Sequence, residues 1–216
     1  MSNDTGCLQL DVGNSGAKWR LVDAGQVLCR GRYRSDDDAS RELLLSCAER
    51  VERVLVSSVA APAAERALAE LLHGRWGVEA WFARTPARTG ELVNSYSEPQ
   101  RMGVDRWLAM LGARQRFGGR LCVIDAGSAL TIDLVAASGA HEGGYIIPGP
   151  ALMERALLLD TDRVRFEDHV DYQLVPGTST AEAVRHGIAL AQAGAVALAL
   201  QRSAENPPAL AFCGGG

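Results

Sequence analysis

Apolar and polar residues alternate with a period of two through the first part of the chain. Leu8 and Leu10 alternate with Gln9 and Asp11, and Ala17, Trp19 and Leu21 with Lys18 and Arg20. Successive strand side chains point to opposite faces, so this pattern marks half-buried strands. It predicts strands over 7–12, 17–23 and 26–34, joined by glycine-containing turns. A helix is expected over 42–50, then a near-continuous apolar run over 53–59, as in a buried parallel strand. Pro62 opens a second helix, over 62–72, because proline suits a first helical turn. Another strand follows at 78–83. Residues 85–101 are polar and aperiodic, with Pro86 and Pro99, and a loop of that length in a folded domain is often functional.

Helical spacing returns over 103–117, at Trp107, Leu108, Leu111 and Ala113. The opening order then repeats, with strands expected at 121–126, 129–135 and 140–147. Pro148 to Pro150 breaks the chain before a helix over 151–159. Residues 160–178 are irregular, 180–202 form an Ala-rich helix, and a strand over 209–213 runs into Gly214-Gly-Gly216.

One short pattern occurs twice. Asp11-Val-Gly-Asn14-Ser15 and Asp125-Ala-Gly-Ser128-Ala each end an apolar run and precede another β-like run. Each reads as a tight turn with an acid at its mouth. Glycine allows close backbone approach, and turn N–H groups cradle anions. A carboxylate beside such a cradle suits a metal ion bridging phosphates. The pair suggests two similar halves facing one cleft, and nucleotide phosphoryl transfer.

Composition narrows the options. The 216 residues are 47% hydrophobic and 22% charged, as in an ordinary globular protein. Net charge is −4 with no long basic stripe, which argues against nucleic acid as a partner. Cys7, Cys29, Cys47, Cys122 and Cys213 are odd in number and lack Cys-x-x-Cys spacing, so reduced thiols and a cytoplasmic location are expected. The polar N-terminus does not read as a secretory signal. The most apolar stretch, 188–200, reads as too short to span a bilayer and suits a buried or interface helix. Asp36-Asp37-Asp38 reads as a solvated loop before a helix rather than a metal site.

The two-lobe order resembles the acetate kinase, sugar kinase, Hsp70 and actin superfamily. The motifs Asp11-Val-Gly-Asn-Ser, Gly103-Val-Asp-Arg106, Asp125-Ala-Gly-Ser128-Ala, Gly143-Gly-Tyr-Ile-Ile-Pro-Gly149 and Gly177-Thr-Ser-Thr180-Ala-Glu occur in the order seen in type III pantothenate kinases. The resemblance covers essentially the whole chain. It implies an α/β protein with two similar ribonuclease H-like (actin-like ATPase) lobes, mixed five-stranded sheets flanked by helices, and a cleft between them. The lobes are expected at 1–100 and 101–216, the second with a short C-terminal segment. In the family the strand ending in Gly-Gly leads into further elements; the sequence stops at Gly216, either short of those elements or in a member that lacks them, and no adenine-contacting residue is assigned.

The resemblance also implies chemistry: ATP-dependent phosphorylation of pantothenate, the first step towards coenzyme A, with Mg2+ and a monovalent cation, K+ or NH4+, in a homodimer. It implies ATP contacts from Asp11, Val12, Gly13, Asn14, Ser15, Gly16, Ala17, Lys18 and Ser128, with Ser128 standing where most members carry Thr. Asp11 would orient Mg2+ through water, and Asp125 would bind the monovalent cation. Asp105 matches the catalytic base. Gly103, Val104, Asp105, Arg106, Tyr96 and Thr180 match the substrate-binding positions. Each has a plainer reading: a hairpin for Asp11-x-Gly, a solvent-facing Lys18, a helix start for Asp105, a surface ion pair for Arg106, a core cover for Tyr96, a helix cap for Thr180. Asp133 reads as structural. Two other functions stay open: a kinase of another small metabolite alcohol, and a non-catalytic regulator like the family's Bvg accessory factors.

Overall fold

The alternation at the N-terminus builds a meander. In the computed structural model, which describes residues 5–13, 16–161, 163–167, 169–203 and 205–214, β1 (Thr5–Gly13), β2 (Gly16–Asp23) and β3 (Gln26–Tyr33) pair antiparallel in sequence order. β4 (Arg50–Ser58) lies parallel to β1 on its other side, and β5 (Ala80–Phe82) lies parallel to β4. The order β3-β2-β1-β4-β5 makes a mixed five-stranded sheet with β1 at its centre. Leu8, Leu10, Trp19, Leu21, Val54 and Val56 point into one core with Leu44, Leu68 and Leu72 from helices α1 (Asp38–Leu45) and α2 (Pro62–Trp76).

The second sheet repeats that plan. β8 (Leu121–Ala126), β9 (Ala129–Val135) and β10 (His141–Pro148) form an antiparallel meander, and β11 (Ala209–Gly214) lies parallel to β8. Its order, β10-β9-β8-β11, matches β3-β2-β1-β4 strand for strand. Leu121 to Ile124 are all buried, as expected of a strand covered on both faces. Ile132, Leu130 and Ile124 pack with Ala199 of α5 (Thr180–Gln201), which also packs on α4 (Pro150–Asp160). The expected five strands are met in the first sheet only. The second has four among the described residues.

Four local expectations are corrected. The first helix covers Asp38–Leu45, not 42–50: the Asp37 carboxylate accepts from the N–H groups of Ala39 and Ser40, so the acidic run starts the helix, and Arg50 already begins β4. α2 runs on to Trp76, where Gly77 closes it in a left-handed conformation. The aperiodic stretch 85–101 contains a small hairpin, β6 (Arg88–Thr89) with β7 (Leu92–Val93), turned at Gly90, and a 3-10 turn at Pro99–Arg101. α5 has 22 residues, long and apolar enough to cross a membrane by length and composition, because its apolar character begins earlier than the 188–200 window suggested. Ala181, His186, Ile188 and Ala199 are buried in the protein while most of the helix is not, and a single helix of this kind is weak evidence for a membrane.

The chain divides into two compact units, 1–85 with 100–107, and 86–99 with 108–216. It crosses from one to the other three times, where the sequence suggested a single boundary at 100.

Candidate functional site

In the first unit, Asp11 stands at the end of the central strand. It faces Lys18 across the β1–β2 register and Ser57 across the β1–β4 register. Lys18 is exposed while its neighbours Ala17 and Trp19 are buried, so its side chain lies on the solvent face, within electrostatic reach of Asp11. Asp11 is exposed to solvent at this strand end yet crowded by neighbouring atoms, and its carboxyl is pushed above the usual range, first by that partial desolvation and then by the negative charge of Asp105; a hydrogen bond from Ser57 and the charge of Lys18 offset part of the rise. The Ser57 hydroxyl is buried, and this bond to Asp11 falls short of good geometry.

Val12, Gly13, Gly16 and Ala17 complete the described part of the first turn. Gly13 pairs with Gly16, and Asn14 and Ser15 lie outside the described residues. Gly16 has φ 140°, and a Cβ there would sit 2.8 Å from the Tyr33 carbonyl oxygen, so only glycine fits.

Asp105 occupies the first turn of α3 (Val104–Arg116). Its carboxylate accepts from the Arg106 N–H at 2.7 Å. A Cβ on Gly103 would lie 2.5 Å from that carboxylate oxygen, so the glycine of the Gly-x-Asp-Arg motif makes room for the acid. Val104, Arg106 and Trp107 are buried and Asp105 is half-buried. Burial of Arg106 removes the surface ion pair as an account of it. Asp11 and Asp105 thus form a pair of mutually repelling acids on β1 and α3. No group of three or more metal-ligating side chains occurs among the described residues. Two carboxylates beside the Ser57 hydroxyl fit a divalent ion that keeps most of its water, as Mg2+ does.

In the second unit, Asp125 ends β8 as Asp11 ends β1. It pairs in register with Thr131 and Cys213. The Cys213 thiol donates to the Ile124 carbonyl at 3.6 Å, and burial, followed by the negative charge of Asp125, pushes the thiol up to about 11. Ser128 is exposed on the β8–β9 turn. The Gly149 N–H donates to the Ser128 carbonyl at 3.0 Å, and a Cβ on Gly149 would come within 2.5 Å of that oxygen. The glycine of the Ile-Ile-Pro-Gly motif therefore seats the start of α4 directly on this turn.

Thr180 is exposed at the start of α5, but the cap is its neighbour. The Ser179 hydroxyl accepts from the Glu182 N–H, while the Glu182 carboxylate accepts from the Thr178 N–H and hydroxyl. The helix-cap role expected of Thr180 thus belongs to Ser179. Tyr96 is half-buried, its ring 6.3 Å from that of His141. Asp133 is structural as expected: buried, and paired with His141 Nε2 at 2.9 Å. Sequence reasoning passed over His141, which lacks metal-type spacing, and Ser57, an ordinary strand residue by its pattern.

The fold defines a class first. The chain is similar to a 2-dehydro-3-deoxygalactonokinase from Sinorhizobium meliloti, with TM-score 0.60, 13% identity, and 97% of this chain and 86% of that one covered. It is also similar to a Baf family transcriptional activator from Campylobacter jejuni, with TM-score 0.54, 22% identity, and coverage of 96% and 83%. These likenesses show the fold alone, a mixed α/β fold. Sequence narrows the class. The type III pantothenate kinase model matches residues 7–202. Type III pantothenate kinases from Hahella chejuensis and Ectopseudomonas mendocina are each 39% identical, with 92% and 93% of this chain and 82% and 83% of theirs covered. The chain belongs to the type III pantothenate kinase family.

Proposed function

We infer that the protein phosphorylates pantothenate at the expense of ATP, opening the route to coenzyme A. The carrying observation is the pair of repelling acids, Asp11 and Asp105, in a chain that belongs to this family over nearly its full length. The reaction uses ATP and a divalent metal. In our reading that metal is Mg2+, held through water by Asp11, where it would neutralise phosphate charge. Asp105 accepts the proton of the pantothenate hydroxyl as the γ-phosphoryl group arrives, the task a positioned Asp performs in other kinases. The Arg106 N–H bond orients that carboxylate. The Arg106 guanidinium suits the substrate carboxylate, which it can bind in two-pronged fashion. The turn 12–17, with Asn14 and Ser15, and Lys18 hold ATP phosphates, as does Ser128. Tyr96 and Thr180 contact pantothenate, and Asp125 holds K+ or NH4+. Incubating the protein with ATP, Mg2+, K+ and pantothenate, and locating the new phosphate by 31P NMR, tests the reading. A phosphomonoester on the terminal hydroxyl is expected; ATP left unconsumed would overturn it.

We further propose a cytoplasmic homodimer built on α5. One face of that helix, Ala183, Gly187, Leu190, Ala191, Gly194, Ala197 and Leu198, is exposed and wholly apolar. Leu190 is 61% and Leu198 50% exposed, and small residues between them permit close approach of a second helix. A monomer mass by light scattering at micromolar concentration would refute it.

A further inference from the structure

The loop that carries Tyr96 is tied to the second sheet by a polar relay, buried at its Asp133–His141 end and exposed at Ser95, that the phosphoryl-transfer step does not use. His141 begins β10 with a fully buried ring. Asp133, on the neighbouring strand β9, is equally buried, and a carboxylate can only accept, so His141 Nε2 carries the proton and donates to it at 2.9 Å. The other ring nitrogen, Nδ1, shares a hydrogen bond with the Ser95 hydroxyl at 2.8 Å. Ser95 adjoins Tyr96 in sequence, and the Tyr96 ring lies against the same imidazole.

The rest of the loop is knitted down around this point. The Val93 N–H donates to the Gly139 carbonyl, and Val93 and Ala140 form a parallel bridge. Asn94 accepts from the Tyr96 N–H at 2.9 Å and donates to the Pro99 carbonyl at 3.3 Å. Leu92 is buried beneath. A buried acid–imidazole pair contributes little net stability compared with packed apolar side chains of the same size. Its distinctive output here is direction: it fixes the imidazole plane, which fixes Ser95 and, one residue on, Tyr96.

We propose that His141, oriented by Asp133, is a positioning residue for pantothenate recognition, acting through Ser95 on Tyr96. The proposal rests on the reading that Tyr96 contacts pantothenate. The link at Ser95 can be cut at the surface without disturbing the buried pair. Ser95→Ala should raise the KM for pantothenate roughly fivefold, the factor that one net neutral hydrogen bond represents. The kcat and the KM for ATP should stay within twofold of wild type, and Ser95→Thr, which restores a hydroxyl, should recover the wild-type KM. Tyr96→Ala is measured beside them. If Tyr96→Ala raises the pantothenate KM and Ser95→Ala does not, the relay is refuted while Tyr96 remains a substrate contact. Should neither variant change it, the reading of Tyr96 fails and the relay falls with it. A Ser95→Ala protein with lowered Tm but unchanged pantothenate KM would mark a merely structural bond, and would also refute the proposal.

Discussion

Replacing Gly149 by alanine isolates the seating of α4 on the second phosphate-type turn. Gly149 has φ −70° and ψ 169°, which any residue adopts, so the substitution brings no backbone strain. What it brings is a methyl group 2.5 Å from the Ser128 carbonyl oxygen and 2.7 Å from that of Gly127. Ordinary contact begins at 3.4 Å, so turn and helix must part by about 0.9 Å. That separation stretches the 3.0 Å hydrogen bond between Gly149 and Ser128 beyond useful range. Overpacking of this kind costs roughly 1–3 kcal/mol, or several degrees in Tm for a chain of this size. Misplacing a catalytic or binding group by about 1 Å can cost on the order of 100-fold in rate. Gly149→Ala should therefore lower Tm and reduce kcat/KM for ATP by ten- to a hundredfold, about that order at most. The control is Gly74→Ala, at an exposed position of α2, where a Cβ meets nothing within 4 Å. It should raise stability by about 0.5–1 kcal/mol and leave kinetics unchanged. Differential scanning fluorimetry and steady-state kinetics on both variants decide the matter. A Gly149→Ala enzyme with wild-type Tm and ATP kinetics would refute the reasoning.

Asp105→Asn should fold normally and lose on the order of 10²–10⁴ in kcat; near-wild-type turnover would remove Asp105 from the chemistry. Asp11 has its carboxyl raised by packing and by Asp105, so its charged form opposes folding at neutral pH. Asp11→Asn should consequently raise the Tm of the metal-free protein at pH 7, with the gain shrinking as pH falls and wild-type Asp11 takes up its proton, while Mg2+ should raise the Tm of wild type only. Glu154 behaves oppositely: hydrogen bonds from Arg185 hold it below the usual carboxylate range. Its contribution is present at neutral pH and lost as pH falls through the lowered value, so Glu154→Gln should lower Tm at pH 7 and not at the acid end. Asp125→Asn should abolish activation by K+; an enzyme equally active in K+ and in Tris would contradict the cation assignment.

Much of this was legible in the sequence because it depends on local rules. Alternation at 8–10 and 17–21 placed β1 and β2, and the repeated Asp-x-Gly turn announced the repeated sheet order. What stayed hidden depends on partners distant along the chain. Gly149 read as part of a chain break and Gly103 as a helix start within a motif, and only the fold puts a carbonyl and a carboxylate where their side chains would be. His141 carried no spacing signal, because its partners Ser95 and Asp133 come from a loop and a neighbouring strand. The cap fell on Ser179 rather than Thr180 because two adjacent hydroxyl residues fit the same pattern and tertiary geometry chose between them. The hairpin at 88–93 was missed because its strands are two residues long, too short for periodicity to register.

The most direct test of the account is a comparison of kcat/KM for phosphorylation of pantothenate and of a panel of other small alcohols, by the purified protein with ATP, Mg2+ and K+. The account predicts turnover of pantothenate at least tenfold more efficient than any alcohol lacking its carboxylate, because such an alcohol forfeits the two-pronged, charge-assisted contact with Arg106, worth about 1.5–3 kcal/mol. Equal or better turnover of another alcohol, with pantothenate untouched, would contradict it.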